Sequence, residues 1–156
     1  MKRQKQGKKP SILVIDDDED IRKVLSEILK DNRYNADSAE TGRQALRKAE
    51  EKFYNLALID IKLPDMNGVV LLTKIKETKP KMRKIIITGY PTLKNAVEAL
   101  NKGADAYIMK PLDIEKVLAT IAEQLQKQRR EQKMTEKQLV QYIETRVKQI
   151  EKESLQ

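Results

Sequence analysis

Short apolar runs alternate with amphipathic stretches between residues 11 and 125. Ser11–Ile15 is the first run, and its four apolar residues are too few for a helix before Asp16-Asp17-Asp18 stops them. It is expected to be a strand. Ile21, Val24, Leu25, Ile28 and Leu29 follow at helical spacing with one apolar face. Tyr34–Ala39 is a weaker strand signal, and Thr41–Glu51 predicts a helix that turns Ala45, Leu46 and Ala49 inward. Leu56–Ile59 is apolar at every position, as in a parallel strand covered on both faces. Val69–Glu77 predicts a helix and Ile85–Ile87 a fourth strand. Leu93, Ala96, Val97 and Leu100 mark another helix, capped near Gly103. Ala106–Met109 is a fifth strand, and Ile114, Val117, Leu118, Ile121 and Leu125 mark a fifth helix.

Five strand–helix units in succession predict an α/β fold with a parallel sheet, and right-handed crossovers put helices on both faces. Such sheets bind ligands beyond the carboxyl ends of their strands. Asp16, Asp17, Asp60, Thr88 and Lys110 all fall there. The organisation expected is a basic disordered arm over 1–9, a folded domain over 10–126 and a charged helical tail over 127–156. The tail opens with Gln126–Lys133, which holds no apolar residue, followed by Thr135-Glu136-Lys137-Gln138, a capping-box pattern that predicts a fresh helix start. Leu139, Ile143, Val147 and Ile150 then recur at helical spacing, while Gln128 and Gln132 interrupt any seam counted on from Leu118, Ile121 and Leu125. Three arrangements are open for the tail: a weak dimerising or docking helix, which is favoured, a helix folded back on the domain, or a frayed end.

Composition narrows the chemistry. The chain has no Cys and no His, which excludes disulfides, thiol chemistry, thiolate or imidazole zinc sites and any Ser-His or Cys-His nucleophile. Covalent phosphate chemistry on this chain would fall to a carboxylate. The net charge of +8 suggests nucleic acid, but its distribution does not. Residues 1–9 hold five basic residues and no acid, residues 10–112 hold 18 basic against 16 acidic, and residues 113–156 hold 9 against 8. The excess is mostly a solvated arm, so direct DNA binding is not expected. No apolar run approaches the ~20 residues of a membrane span, and the basic start lacks the apolar segment of a signal peptide. A cytoplasmic protein with no membrane partner is expected.

The carboxylates at the first strand end repel one another unless a cation offsets them, and hard oxygen ligands favour Mg²⁺ or Ca²⁺. Together with Asp60-Ile61-Lys62-Leu63-Pro64-Asp65-Met66-Asn67-Gly68 after the third strand, Thr88-Gly89 after the fourth and Lys110-Pro111 after the fifth, they make up a pattern that resembles the receiver domain of two-component signalling. Thr88-Gly89-Tyr90-Pro91-Thr92 and Ala96–Leu100 are similar to the nitrogen-regulator type of receiver. The resemblance covers about residues 10–126. It implies a flavodoxin-like doubly wound sheet of order 2-1-3-4-5 flanked by five helices, with the C-terminal helical extension beyond it. That order sets the first, third, fourth and fifth strands side by side, about 4.8 Å apart, so their end residues line one edge.

The same resemblance implies the roles. Asp60 would be the phosphoacceptor, taking a phosphoryl group from a histidine kinase or a phosphotransfer protein. Mg²⁺ would be held by Asp17, Asp60 and the Lys62 backbone carbonyl, with Asp16 acting through a metal-bound water. Lys110 and Thr88 would bind phosphoryl oxygens. Tyr107 would be a switch aromatic that fills the space Thr88 leaves. Lys110-Pro111 would be cis. Pro64, Gly68, Gly89 and Pro111 would shape the loops, and Lys62 and Tyr90 would modulate hydrolysis of the phosphate. The protein would act on no other substrate and would catalyse only its own phosphorylation and dephosphorylation. The surface of the fourth helix, fifth strand and fifth helix would carry the signal to a downstream effector protein. A homodimer could form through that surface or through the C-terminal helix. Whether the chain stands alone or is the receiver piece of a longer regulator stays open.

The first acidic cluster also fits two rival patterns. Asp16, Asp18, Asp20 and Glu27 match calcium-loop positions 1, 3, 5 and 12, but Ile21 stands where that loop needs Gly. Asp16-x-Asp18 also resembles the nucleophile motif of haloacid-dehalogenase-type phosphatases, in which Asp16 would take the phosphate. The late acidic pair of that family is missing.

Overall fold

The computed structural model describes residues 7–155. Its element order is β1 (Ser11–Ile15), α1 (Glu19–Asp31), β2 (Asn35–Ala39), α2 (Gly42–Glu51), β3 (Leu56–Asp60), α3 (Gly68–Lys74), β4 (Arg83–Thr88), α4 (Leu93–Asn101), β5 (Ala106–Met109) and α5 (Ile114–Ser154). The strands form one parallel sheet of order β2-β1-β3-β4-β5. The expected disordered arm falls, for residues 1–6, outside the described residues. Residues 7–9 are exposed and irregular.

Period-two alternation explains why the sheet is covered twice. Leu13, Ile15, Ala57, Ile59 and Ile86 face one way and meet Ala45 and Ala49 of α2, Leu71 and Leu72 of α3 and Ala99 of α4. Ile12, Val14, Leu56, Leu58, Ile85, Ile87 and Ile108 face the other way and meet Leu25 and Leu29 of α1 and Val117, Ile121 and Leu125 of α5. Each large aliphatic side chain buried this way contributes about 1.5–3 kcal/mol against the entropy of ordering the chain. Side-chain caps fix the helix starts. Asp18 accepts from the Asp20 and Ile21 amides, Thr41 from Gln44, Asn67 from Val69, Thr92 from Asn95 and Asp113 from Lys116. Among the described residues no helix is long and apolar enough to cross a membrane.

The structure differs from the sequence pattern in three places. Helix α3 stops at Lys74 instead of Glu77, because Ile75 leaves the helix in an extended conformation and is buried. Strand β4 begins at Arg83, two residues earlier than the apolar run, since Arg83 and Lys84 are themselves buried. Helix α5 runs unbroken for 41 residues, with no new start at Thr135. The Thr135 hydroxyl instead donates back to the Glu131 carbonyl within the helix. The Gln, Lys, Arg and Glu residues that look like a linker are good helix formers, and no Gly or Pro interrupts them. The unbroken helix excludes a tail folded back on the domain.

Polar contacts carry α5 past the sheet. The Gln128 amide donates to the backbone carbonyls of Asn55 (2.9 Å) and Lys81 (2.8 Å). Arg83 reaches Gln124 at 3.1 Å, Glu131 at 3.1 Å and Asp105 at 3.5 Å. Gln128, the residue that breaks the apolar seam in the sequence, is thus buried and fastens α5 beneath β3 and β4.

Candidate functional site

The register of the sheet brings the expected residues to one edge. Ile15 pairs with Ile59, so Asp16 and Asp60 leave neighbouring strands side by side. Asp60 pairs with Ile87, and Thr88 with Met109. Thr88 therefore lies one step further along its strand than the level of Asp60, and Lys110 two steps further. Asp16 and Asp60 are 3% and 6% exposed, whereas Asp17 is open to solvent. Asp16, Asp17 and Asp60 each offer a carboxylate oxygen within 4.8 Å of the others.

Lys110 crosses the edge to both buried carboxylates, with its Nζ 3.1 Å from Asp16 Oδ2 and 3.3 Å from Asp60 Oδ2. One ammonium thus serves a group of three carboxylates. Burial, reinforced by the charge of Asp16, pushes the Asp60 carboxyl above the usual carboxylate range. Lys110 and the Lys62 N–H, which donates to Asp60 Oδ1 at 3.3 Å, pull it down without cancelling that rise. For Lys110, burial works against the charge, but the hydrogen bond and charge of Asp16, then those of Asp60, outweigh it and raise the ammonium above its ordinary value. The excess negative charge and the all-oxygen donor set fit a hard divalent cation.

The remaining expected residues fall around this centre. Thr88 is fully buried at the end of β4, and its Oγ1 accepts from the Tyr90 N–H at 3.0 Å. The Tyr107 hydroxyl is buried with no hydrogen-bond partner among the described residues, and its ring packs against the core shared by α3 and α4. Lys62 and Tyr90 are exposed and meet each other, the Lys62 Nζ lying 3.4 Å from the ring centroid. The Lys110–Pro111 peptide is cis, as the resemblance implies, and so is Lys79–Pro80, which the pattern did not single out.

The loop residues separate on inspection. A Cβ on Gly68 would lie 2.3 Å from the Asp60 carbonyl oxygen, so only glycine allows α3 to start this close to β3. A Cβ on Gly89 would meet nothing nearer than Lys110 Cδ at 3.8 Å, so space does not require glycine there. Pro64 is exposed in the loop between Asp60 and Gly68, and Pro111 is exposed after the lysine.

Two supporting residues escaped the sequence pattern. Arg22 on α1 donates to the Asp16 backbone carbonyl at 2.8 Å and so fixes the first strand end. Asp65 accepts from the Gly42 and Arg43 amides at 2.8 and 2.9 Å, tying the loop after Asp60 to the start of α2. Those amides, Arg43 first, hold the Asp65 carboxyl below its usual value. A carboxylate inside the run Leu63-Pro64-Asp65 was the available signal. Nothing in Arg22 distinguished it from other helix-surface cations.

Comparison with known proteins gives a consistent picture. The family model described as the response regulator receiver domain matches residues 12–122. The transcriptional regulatory protein ZraR of Klebsiella oxytoca is 40% identical over 119 residues, which are 76% of this chain and 27% of ZraR. An NtrX-like response regulator of Rickettsia bellii is 39% identical over 109 residues, 69% of this chain and 23% of that protein. The chain thus spans about a quarter of the length of these relatives. The crystal structure of a CheY-like receiver domain protein from Methanospirillum hungatei superposes with a TM-score of 0.76 at 46% identity, covering 80% of this chain and 99% of that one.

Proposed function

Because the chain belongs to the receiver domains of two-component response regulators, a signalling family, we propose that Asp60 is its phosphoacceptor. The observation that carries this reading is the Asp60 carboxylate at a strand end, shared between Lys110 and the carboxylates of Asp16 and Asp17. An Asp60 oxygen attacks the phosphorus atom of the donor, the bond from phosphorus to the donor's leaving group breaks, and an acyl phosphate remains. Asp16, Asp17, Asp60 and the Lys62 backbone carbonyl are the groups that would hold Mg²⁺. A bound Mg²⁺ supplies the positive charge that lets an anionic phosphoryl group approach a carboxylate.

The chain's own residues do the rest. Lys110 leaves one carboxylate oxygen to bind a phosphoryl oxygen, its point charge following the transferred group. Thr88 turns its hydroxyl from the Tyr90 amide toward a second oxygen. The space it leaves is open to Tyr107, whose buried hydroxyl has no hydrogen-bond partner among the described residues. This local change alters the surface of α4, β5 and α5, where Leu93, Val97, Leu100 and Met109 are exposed. Lys62 and Tyr90, stacked beside the site, shield the acyl phosphate from water.

The donor is a histidine kinase or a phosphotransfer protein, and the recipient of the signal is an effector protein, either separate or joined to the receiver in a longer regulator. A cytoplasmic location goes with that reading. The test is labelling with acetyl phosphate followed by intact mass. The wild type should gain one phosphoryl group with Mg²⁺, and should gain none with EDTA or in Asp60→Asn. Labelling of Asp60→Asn at the wild-type rate would refute the assignment.

A further inference from the structure

The end of the sheet opposite Asp60 carries exposed charge of the other sign. Lys8 and Lys9 lead into β1, Arg33 follows α1, and Arg129 follows the Gln128 anchor on α5. These four line an open cavity of about 650 Å³ together with Asn55, Leu125 and Gln128, and no carboxylate lines it. All four cations are exposed, and none has an acid within 4.0 Å among the described residues. The amides beside them are already satisfied. Asn55 accepts from the Ser11 N–H at 2.9 Å and donates to Gln128 at 3.3 Å, while Gln128 donates to two backbone carbonyls. Arg33 is also the one described non-glycine residue with positive φ, at 67°. It stands where such a helix ending usually takes glycine, with the Tyr34 N–H donating to the Leu29 carbonyl at 3.0 Å. An arginine there costs conformational energy that glycine would not, and it brings a guanidinium to the cavity. Counted along the sequence, the basic excess belongs to residues 1–9. The fold joins residues 33 and 129 to it.

We propose that this cavity binds the phosphate backbone of duplex nucleic acid without reading its sequence. Four clustered cations with no acid among them fit a polyanion, and Lys2, Arg3 and Lys5 continue the same sign in the sequence. A small phosphorylated molecule needs donors held in place. Here the amides are engaged, and the free donors sit on long flexible stems. A single strand needs aromatic faces for its bases, and no aromatic residue lines the cavity. A duplex hides its bases and offers its phosphates without them. An anionic membrane is held by exposed apolar side chains beside the cations, whereas Leu125, the large apolar residue of the lining, is buried. The carboxylates at the other end of the sheet repel the same polyanion, so the long-range field turns this end toward it.

The site does not depend on the phosphorylation reading, since none of its residues touches the acidic centre. Its test is the anisotropy of a labelled DNA duplex of about 20 base pairs titrated with the full chain, in EDTA and without a phosphoryl donor, between about 50 and about 200 mM NaCl. The wild type binds, and the logarithm of its affinity falls against the logarithm of salt with a slope of about −4 or steeper. Arg33→Gln with Arg129→Gln weakens binding about tenfold or more at the lowest salt and flattens the slope by about 2. Lys8→Gln with Lys9→Gln does the same. Lys94→Gln with Lys102→Gln removes equal charge from α4 and its C-terminal cap, and stays within about twofold of the wild type. All six positions are exposed, so the thermal transition is kept in each variant. No binding at the lowest salt overturns the proposal. So do a control pair as damaging as the cavity pairs, a single strand of the same length bound more tightly than the duplex, and phosphatidylglycerol vesicles bound while the duplex is not.

Discussion

The two ends of the sheet treat charge in opposite ways. At the carboxyl ends, Asp16, Asp17 and Asp60 crowd together with Lys110 as the cation that meets the two buried ones. At the amino ends, Arg83 is matched by Gln124, Asp105 and Glu131, and Gln128 answers two backbone carbonyls. The apolar layers on either side are continuous between the two ends, so the contrast does not come from the core. One end settles its polar groups and gains rigidity. The other keeps an unsettled charge that a cation and a phosphoryl group can settle. Unpaired charge in an otherwise satisfied fold is where chemistry is to be sought.

Substitutions at each end should have different signatures. The largest effect is expected from Gly68→Ala, whose new methyl collides with the Asp60 backbone and costs about 3 kcal/mol by chemical denaturation. Gly89→Ala, beside the same site, should stay within about 0.5 kcal/mol. Equal losses from the two would dissolve the distinction between the tight and the open loop.

Arg83→Ala should come next. It strips partners from buried Gln124 and from Asp105, and costs about 2–3 kcal/mol, less than a fully enclosed ion pair because Glu131 is open to solvent. Phosphorylation should survive under conditions where the variant is folded. A loss below about 0.5 kcal/mol would show that the amino-end network is ornamental.

Asp60→Asn should move stability the other way. A carboxyl whose folded value is raised costs stability as pH climbs through it, so removing the charge should stabilise the metal-free protein by about 1 kcal/mol at neutral pH. The gain should vanish as pH falls to ~4, where unfolded aspartates also take up protons. Paired melts across that range in EDTA measure it, and a destabilised variant at neutral pH would mean that Lys110 already balances the site. The smallest effect is expected from Tyr90→Ala, which should speed hydrolysis of the acyl phosphate about threefold, or ~0.7 kcal/mol of barrier. A decay rate equal to or slower than that of the wild type would remove the shielding role.

The two ends also differed in how plainly the sequence announced them. Strand ends carrying Asp16, Asp60, Thr88 and Lys110 are visible because each follows a short apolar run, and parallel topology sends all such ends to one edge. The amino-end network has no such marker. Asn55 and Gln128 lie 73 positions apart, and a glutamine in a polar stretch looks like a solvated surface residue until the strand above it is in place. Arg83 and Lys84 are hidden for the same reason, since charge points to a loop although long stems bury well. The tail illustrates the opposite error. Its capping-box pattern was local and real in composition, but with nothing to stop α5 beforehand the helix simply continued through it.

The central claim is that one aspartate takes the phosphate, and residue-level mapping of the labelled protein tests it most directly. After Mg²⁺-dependent reaction with acetyl phosphate, fragmentation of the modified peptide should place the label on Asp60, within the segment that follows β3. A label on Asp16 with Asp60 unmodified would contradict the account and favour the phosphatase-like reading of the first acidic cluster.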